Sequence, residues 1–203
     1  GLAVEVFYTA FRNKKGQRMF LTSGLGSMGY GLPAAIGACI GAGRTPTVCV
    51  ESDGSLMLNL QELATLKQLD LPITLVIMNN NGYASIRNTQ KNYFDQRYIG
   101  SGPASGLLIP DLMSIAAALG IDCLRVSDAS ELKATLFTGR LRIVEVVLEE
   151  NVALSPKVSA MPQPDGSMIS MPLEDMSPLL PRSVLRNEML IPLHPLSEKV
   201  DAH

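Results

Sequence analysis

Apolar residues recur at helical spacing over the first dozen positions, where Val6, Phe7, Ala10 and Phe11 share one face. The pattern predicts an amphipathic helix from about Leu2 to Arg12, then a short strand at Met19–Thr22 and a glycine-rich loop from Gly24 to Gly31. Pro33 suits the first turn of a helix running from Leu32 to about Ala42, whose small residues permit close packing. Beyond it, continuous apolar runs alternate with helical patterns: strand Thr47–Glu51, helix Leu58–Leu69, strand Ile73–Met78, helix Asp111–Leu119, a strand near Leu124–Val126, helix Ser130–Leu136 and strand Ile143–Leu148. Strands that are apolar on both sides and alternate with helices describe an α/β fold: a doubly wound parallel sheet with helices on both faces.

Past Glu150 the texture changes. Eight of the 13 prolines, five of the ten methionines and one of the 17 glycines fall between Asn151 and His203. The expected division is therefore a domain over residues 1–150 and an extension over 151–203 that wraps against a domain or partner rather than folding alone. Pro164-Asp165-Gly166 reads as a turn, and Met171-Pro172-Leu173-Glu174-Asp175-Met176 as an extended strip.

Composition narrows the function. The 203 residues suffice for one α/β domain that buries roughly 70% of its unfolded surface. A net charge of −2 and no basic block leave nothing to track a nucleic-acid backbone. No stretch approaches the roughly 20 apolar residues of a membrane span, and no charged region leads into a signal-peptide core, so a soluble, cytoplasmic chain is expected. Its start at Gly1, already inside a helical pattern, reads as that of an excised piece. Cys39, Cys49 and Cys123 are widely spaced among apolar neighbours and read as buried structural thiols. His194 and His203 fall in the last ten residues, so no histidine-based triad is credible.

The candidate chemistry lies where two apolar runs end. Asp53-Gly54-Ser55 follows one, and Asn79-Asn80-Asn81-Gly82 follows the next, with Asn80 twenty-seven positions after Asp53. In a parallel sheet both segments emerge at the edge where carboxyl ends of strands and amino ends of helices face a common crevice. Asp53, Asn80 and a carbonyl near Gly82 make an oxygen-only set suited to Mg2+, which takes one or two protein groups plus phosphate oxygens and water. Gly54 lets the backbone approach a phosphate, and Ser55 offers an N–H and a hydroxyl. Taken singly, Asp-Gly and Asn-Gly are ordinary turn dipeptides.

Gly24-Leu25-Gly26-Ser27-Met28-Gly29 also fits the dinucleotide fingerprint, with Glu51 ending the next strand, so a Rossmann NAD-binding oxidoreductase domain is the rival reading. Pro33 sets the helix start beyond the third glycine, and Glu51 follows the first glycine by 27 residues against the usual separation of about 20. That reading also leaves the Asp53 and Asn80 pairing unexplained.

Ser52-Asp53-Gly54-Ser55, Asn59-Leu60-Gln61-Glu62-Leu63 and Gly31-Leu32-Pro33-Ala34-Ala35-Ile36-Gly37-Ala38 together resemble thiamine diphosphate enzymes of the acetolactate-synthase-like group. Ser52 stands where that family usually has glycine. The resemblance implies the C-terminal, diphosphate-binding domain of a 2-keto acid decarboxylase or carboligase. Mg2+ would be held by Asp53, Asn80 and Gly82, and the cofactor by these with Gly26, Met28, Gly54, Ser55, Tyr83 and Ala84. A carbonyl at Gly26 would accept from the aminopyrimidine, and Met28 would prop the cofactor in its bent shape.

In this family the glutamate that activates the ring belongs to a pyrimidine-binding domain, normally the other subunit's. No segment here resembles that domain, and Glu62, Glu131 and Glu145 read as surface or capping residues. The resemblance thus implies an isolated chain without turnover, missing pyrimidine and middle domains, a homodimer or homotetramer, and a pyruvate-like 2-keto acid as substrate. It leaves FAD binding by the middle domain open. Acetolactate synthases proper place a tryptophan soon after the double asparagine, and this chain has no Trp. Arg87, Asn88 and Gln90 read either as a solvated helix face or as groups facing a hydrophilic acceptor. The second choice would suit a two-carbon transferase acting on a sugar ketone.

Overall fold

The computed structural model describes residues 2–137, 139–151, 155–163 and 165–199. Pro164 of the expected turn and His203 lie outside them. The β-branched and leucine-rich runs form four strands, β1 (Thr47–Ser52), β2 (Ile73–Asn79), β3 (Cys123–Val126) and β4 (Arg142–Val147). They pair in parallel in the order β1-β2-β4-β3. Along β2, Ile73, Thr74 and Leu75 are consecutively buried, which requires cover on both faces because neighbouring side chains point to opposite sides. Helices α1 (Leu2–Ala10) and α2 (Gly31–Gly41) precede β1, α3 (Asp53–Leu56) and α4 (Glu62–Leu69) lie between β1 and β2, α5 (Ala84–Tyr93) and α6 (Leu112–Ala118) between β2 and β3, and short 3-10 turns join β3 to β4. Leu32 and Cys39 from α2 and Leu63 and Leu66 from α4 join Ile73, Leu75, Ile77 and Ile143 in one core. Among the described residues no helix is long and apolar enough to cross a membrane.

In the sheet domain four segments differ from expectation. The helix expected over Leu58–Leu69 begins earlier, as α3, tightens to a 3-10 turn over Met57–Asn59, and resumes as α4. It tightens where the Asn59 amide is tied to the Gly29 carbonyl at 2.7 Å. Met19–Thr22 is not a strand: Phe20 is 74% exposed, and among the described residues no neighbouring strand offers it a ladder. Ser130–Leu136 holds two 3-10 turns, Ala129–Glu131 and Ala134–Leu136, interrupted at extended Lys133. Finally, α5 is largely polar, so no apolar stripe announces it.

Residues 153–203 form a compact unit of their own. In it, β5 (Ala160–Pro162) and β6 (Met168–Ser170) pair antiparallel, followed by α7 (Arg182–Glu188) and α8 (Pro195–Lys199). The strip expected to be extended over residues 171–176 instead turns, with the Asp175 N–H on the Pro172 carbonyl at 3.0 Å, and serves as a clasp. Arg182 donates to both oxygens of buried Asp175 at 2.7 Å and to the Ser197 carbonyl at 2.8 Å. Glu174 accepts from the His194 N–H at 3.0 Å, ahead of α8.

All three cysteines are free; Cys39 and Cys49 are buried and Cys123 is half-buried. Burial, and secondarily the Glu51 carboxylate, push the Cys49 thiol up to about 12. At pH 8 only about one Cys49 in 10,000 is then a reactive thiolate. A maleimide is expected to modify Cys123 first in the native chain and to reach Cys39 and Cys49 only after denaturation. Mass spectrometry of native and urea-treated samples checks this; native labelling of Cys49 as fast as Cys123 would show that its strand end opens to solvent.

Candidate functional site

The parallel register sets Ser52 beside Met78, so the residues that follow β1 and β2 emerge side by side. Asp53, the first residue of α3, is wholly buried, and Asn80 is nearly so. One Asp53 oxygen, Oδ2, accepts from the Gly82 N–H at 2.8 Å, whereas Oδ1 is buried with no hydrogen-bond partner. Desolvation pushes the Asp53 carboxyl pKa up; the amides of Gly82, Gly54 and Asn80, and then the Arg87 guanidinium, pull it the other way. Two neighbours have no room for a side chain. Gly82 has φ of +134°, and a Cβ there would lie 2.6 Å from the Ser101 carbonyl oxygen. A Cβ on Gly54 would lie 2.4 Å from the Tyr83 ring.

The asparagine turn is held from two sides. Asn79 accepts from the Asn81 N–H at 2.9 Å through Oδ1 and donates to Glu145 at 2.7 Å through Nδ2. Arg87, on α5 and buried, donates to the Asn80 carbonyl at 2.8 Å, to the Ser101 carbonyl at 2.6 Å and to the Glu150 carbonyl. Gln90 bonds the Ser101 hydroxyl at 2.7 Å and the Ile99 carbonyl at 3.0 Å. Arg87 and Gln90 are therefore committed to the fold, neither a solvated face nor free to meet an acceptor. Glu145 is likewise a buried residue rather than a surface one, while Glu131 does cap, accepting from the N–H groups of Ser127 and Asp128.

The glycine loop is fastened to this site. Gly29 donates its N–H to Ser55 Oγ at 2.9 Å and accepts from Asn59 at 2.7 Å. Because Ser55 Oγ accepts there, its own proton is left to donate elsewhere. Glu51 accepts from the Gly31 N–H at 3.0 Å through one oxygen and from the Ser52 N–H at 3.1 Å through the other. A carboxylate so occupied is not presented to a ribose, which removes the acidic partner that the Rossmann reading needs. Gly26, Met28, Ser55, Asn80, Gly82, Tyr83 and Ala84 line one cleft of about 480 Å³. Buried Asp53 and Gly54 lie at the turn between Ser52 and Ser55, which both line it.

The predicted site residues thus come together around one crevice. The sequence reading missed Asn79, Arg87, Glu145 and Glu51 as its supports. Among the described residues no group of three or more His, Cys, Asp and Glu gathers. Of the oxygens expected to hold a cation, Asp53 Oδ1 is buried and unpartnered, as suits a hard cation, whereas Asn80 Oδ1 lies 3.4 Å from the Arg87 guanidinium.

A parallel sheet with a cleft by its strand ends, a buried carboxylate beside it and a glycine loop tied across it has the form of a ligand-binding α/β domain. Residues 3–146 match the family described as thiamine pyrophosphate enzyme, C-terminal TPP binding domain, and the chain belongs to that family. Among its relatives, the acetolactate synthase large subunit of Cyanidium caldarium is 43% identical over 115 residues, 57% of this chain and 19% of that protein. The isozyme 2 large subunit of Escherichia coli is 35% identical over 122 residues, 60% of this chain and 22% of its own length. Chloroplastic acetolactate synthase 2 of Nicotiana tabacum is 31% identical over 130 residues, covering 62% and 20%. The chain spans about a fifth of the length of these relatives. It is a C-terminal TPP-binding domain of acetolactate-synthase-like type.

Proposed function

We propose that this chain holds Mg2+ and the diphosphate end of thiamine diphosphate in a 2-keto acid decarboxylase or carboligase of acetolactate-synthase type. The observation that carries the reading is the buried, unpartnered Asp53 Oδ1 at the strand ends where Asn80 and Gly82 converge. Asp53, Asn80 and the Gly82 carbonyl would hold the cation, and the Ser55 hydroxyl, already fixed by Gly29, would donate to a phosphate oxygen. Met28 and Gly26 line the same cleft and would support the aminopyrimidine. When bound, thiamine diphosphate supplies a nucleophilic carbon that adds to a 2-keto acid and accepts the electrons released with carbon dioxide.

This chain's part is to bind, orient and exclude water. Glu51, which lines the cleft, has both oxygens engaged by backbone amides, which supports an activating acid supplied by another domain. The isolated chain is accordingly proposed to turn over nothing by itself. Thermal melts with millimolar Mg2+ and thiamine diphosphate, against NAD, test the binding function. A midpoint rise of several degrees with the first pair alone is expected. Stabilisation by NAD and none by Mg2+-thiamine diphosphate would overturn the proposal.

A further inference from the structure

The sheet contains a buried carboxylate that the binding chemistry above does not use. Glu145 lies within β4, 1% exposed, in a strand whose neighbours Ile143 and Val144 are wholly apolar and buried. A charge so placed is unfavourable unless its lone pairs are met. The register supplies the partners. Arg125 of β3 pairs directly with Glu145, and Ile77 of β2 pairs with it from the other side, which puts Asn79, two residues on, on the same sheet face. Arg125 donates Nε to one Glu145 oxygen, and Asn79 donates Nδ2 to the other at 2.7 Å.

We propose that Glu145 is a positioning residue for the cation loop: by fixing the orientation of the Asn79 amide, it sets Asn80 and Gly82 toward Asp53. The proposal rests on the Mg2+ reading above. A carboxylate only accepts, so it compels Asn79 to turn its NH2 toward the sheet and its carbonyl outward. That oxygen takes the Asn81 N–H at 2.9 Å, closing a side-chain turn in which Asn81 adopts φ of +58°. The next residue, Gly82, then delivers its N–H to Asp53. The chain of contacts runs from Arg125 through Glu145 and Asn79 to Asn81, and ends at the pocket.

Charge, not shape, is what this device needs. In Glu145→Gln the carbamoyl oxygen can satisfy Arg125 or Asn79, and its NH2 then faces the other donor. If the oxygen serves Arg125, the Asn79 amide must flip, which sets NH2 against the Asn81 N–H. Asp111→Asn is the matched control. Asp111 is the other partner of Arg125, at 3.2 Å, and asparagine retains its capping of α6 without touching Asn79.

The experiment uses the full chain as wild type, Glu145→Gln and Asp111→Asn, with two measurements. Exchange of the Asn81 amide is followed by NMR without metal, and Mn2+ uptake is titrated by electron paramagnetic resonance with thiamine diphosphate present. Glu145→Gln is expected to exchange the Asn81 amide at least tenfold faster and to bind Mn2+ at least tenfold more weakly, while Asp111→Asn matches wild type in both. Combining Glu145→Gln with Asn79→Ala should add nothing further to the Mn2+ loss, as one linear relay requires. Wild-type exchange and Mn2+ affinity in folded Glu145→Gln would overturn the proposal. If wild type takes up no Mn2+, the metal reading falls, and the Asn81 exchange alone decides whether Glu145 sets the loop. Should Glu145→Gln not fold, Asn79→Ala, which keeps the Glu145–Arg125 pair, carries the same expectation and the same refutation.

Discussion

Asp53→Asn is expected to abolish Mg2+-dependent uptake of thiamine diphosphate, by 100-fold or more, while leaving the metal-free chain at least as stable as wild type. The two halves have one cause. Asp53 is buried with one oxygen on the Gly82 N–H and the other on nothing, so ionised and metal-free it is a desolvated, half-satisfied anion. Desolvation outweighs the opposing amides and Arg87, so its folded-state pKa stands above its unfolded value. A carboxyl shifted in that direction favours the fold when protonated, and the benefit is lost as pH rises through the folded value. Asparagine is neutral at every pH and can still accept from Gly82, so the metal-free variant should gain roughly 1 kcal/mol at neutral pH. The hard cation, however, loses its anionic oxygen, which an amide replaces poorly. Calorimetric titration and melts in chelator check both halves. Undiminished cofactor affinity would refute the metal assignment, and a lowered metal-free midpoint would show that Asp53 is a net stabilising group.

What could be read from the sequence was the part governed by short-range pattern. Strands β1 and β2 were legible because residues such as Val50 and Val76 lie in continuous runs that suit a sheet covered on both faces, and β4 because Ile143, Val144, Val146 and Val147 surround a single Glu145. Asp53 and Asn80 were legible because each turn closes such a run, and parallel pairing then makes them neighbours. The supports were hidden because their partners are remote: Asn79 meets Glu145 sixty-six residues away, and Glu51 meets Gly31 twenty away. A glutamate in a strand pattern reads as a surface residue until its cross-strand neighbours are known. The glycine loop fits two ligand classes by spacing, and only the ties from Ser55 and Asn59 join it to the Asp53 segment. Ser130–Leu136 has helical composition, but Asp128 closes a single capped turn and Lys133 extends the chain before a second begins.

Arg87→Met is expected to be strongly destabilising, at about 2–5 kcal/mol, because buried backbone carbonyls lose a charged donor together. Arg87 is buried on α5, and its fork of donors reaches the carbonyls of Asn80, Ser101 and Glu150, just past the end of the β2–β4 ladder. Methionine fills much of the space and packs its stem, but the Asn80 and Glu150 carbonyls lose this donor, at about 1–3 kcal/mol for each that stays dry, while Ser101 keeps the Tyr83 N–H at 3.0 Å. The geometry admits no easy substitute, since a Cβ on Gly82 would lie 2.9 Å from the Arg87 guanidinium, so this corner is already closed around the fork. Arg87→Lys should recover less than half of the loss, because one ammonium cannot span three carbonyls that a planar guanidinium reaches together. Urea titrations with matched m-values measure both variants. The Mg2+ response of Arg87→Lys adds a second reading: it should weaken, because the turn over Asn80 loses part of the guanidinium that fixes it. A loss below 1 kcal/mol in Arg87→Met would mean that water reaches those carbonyls and that the turn over Asn80 and Gly82 stands without the guanidinium.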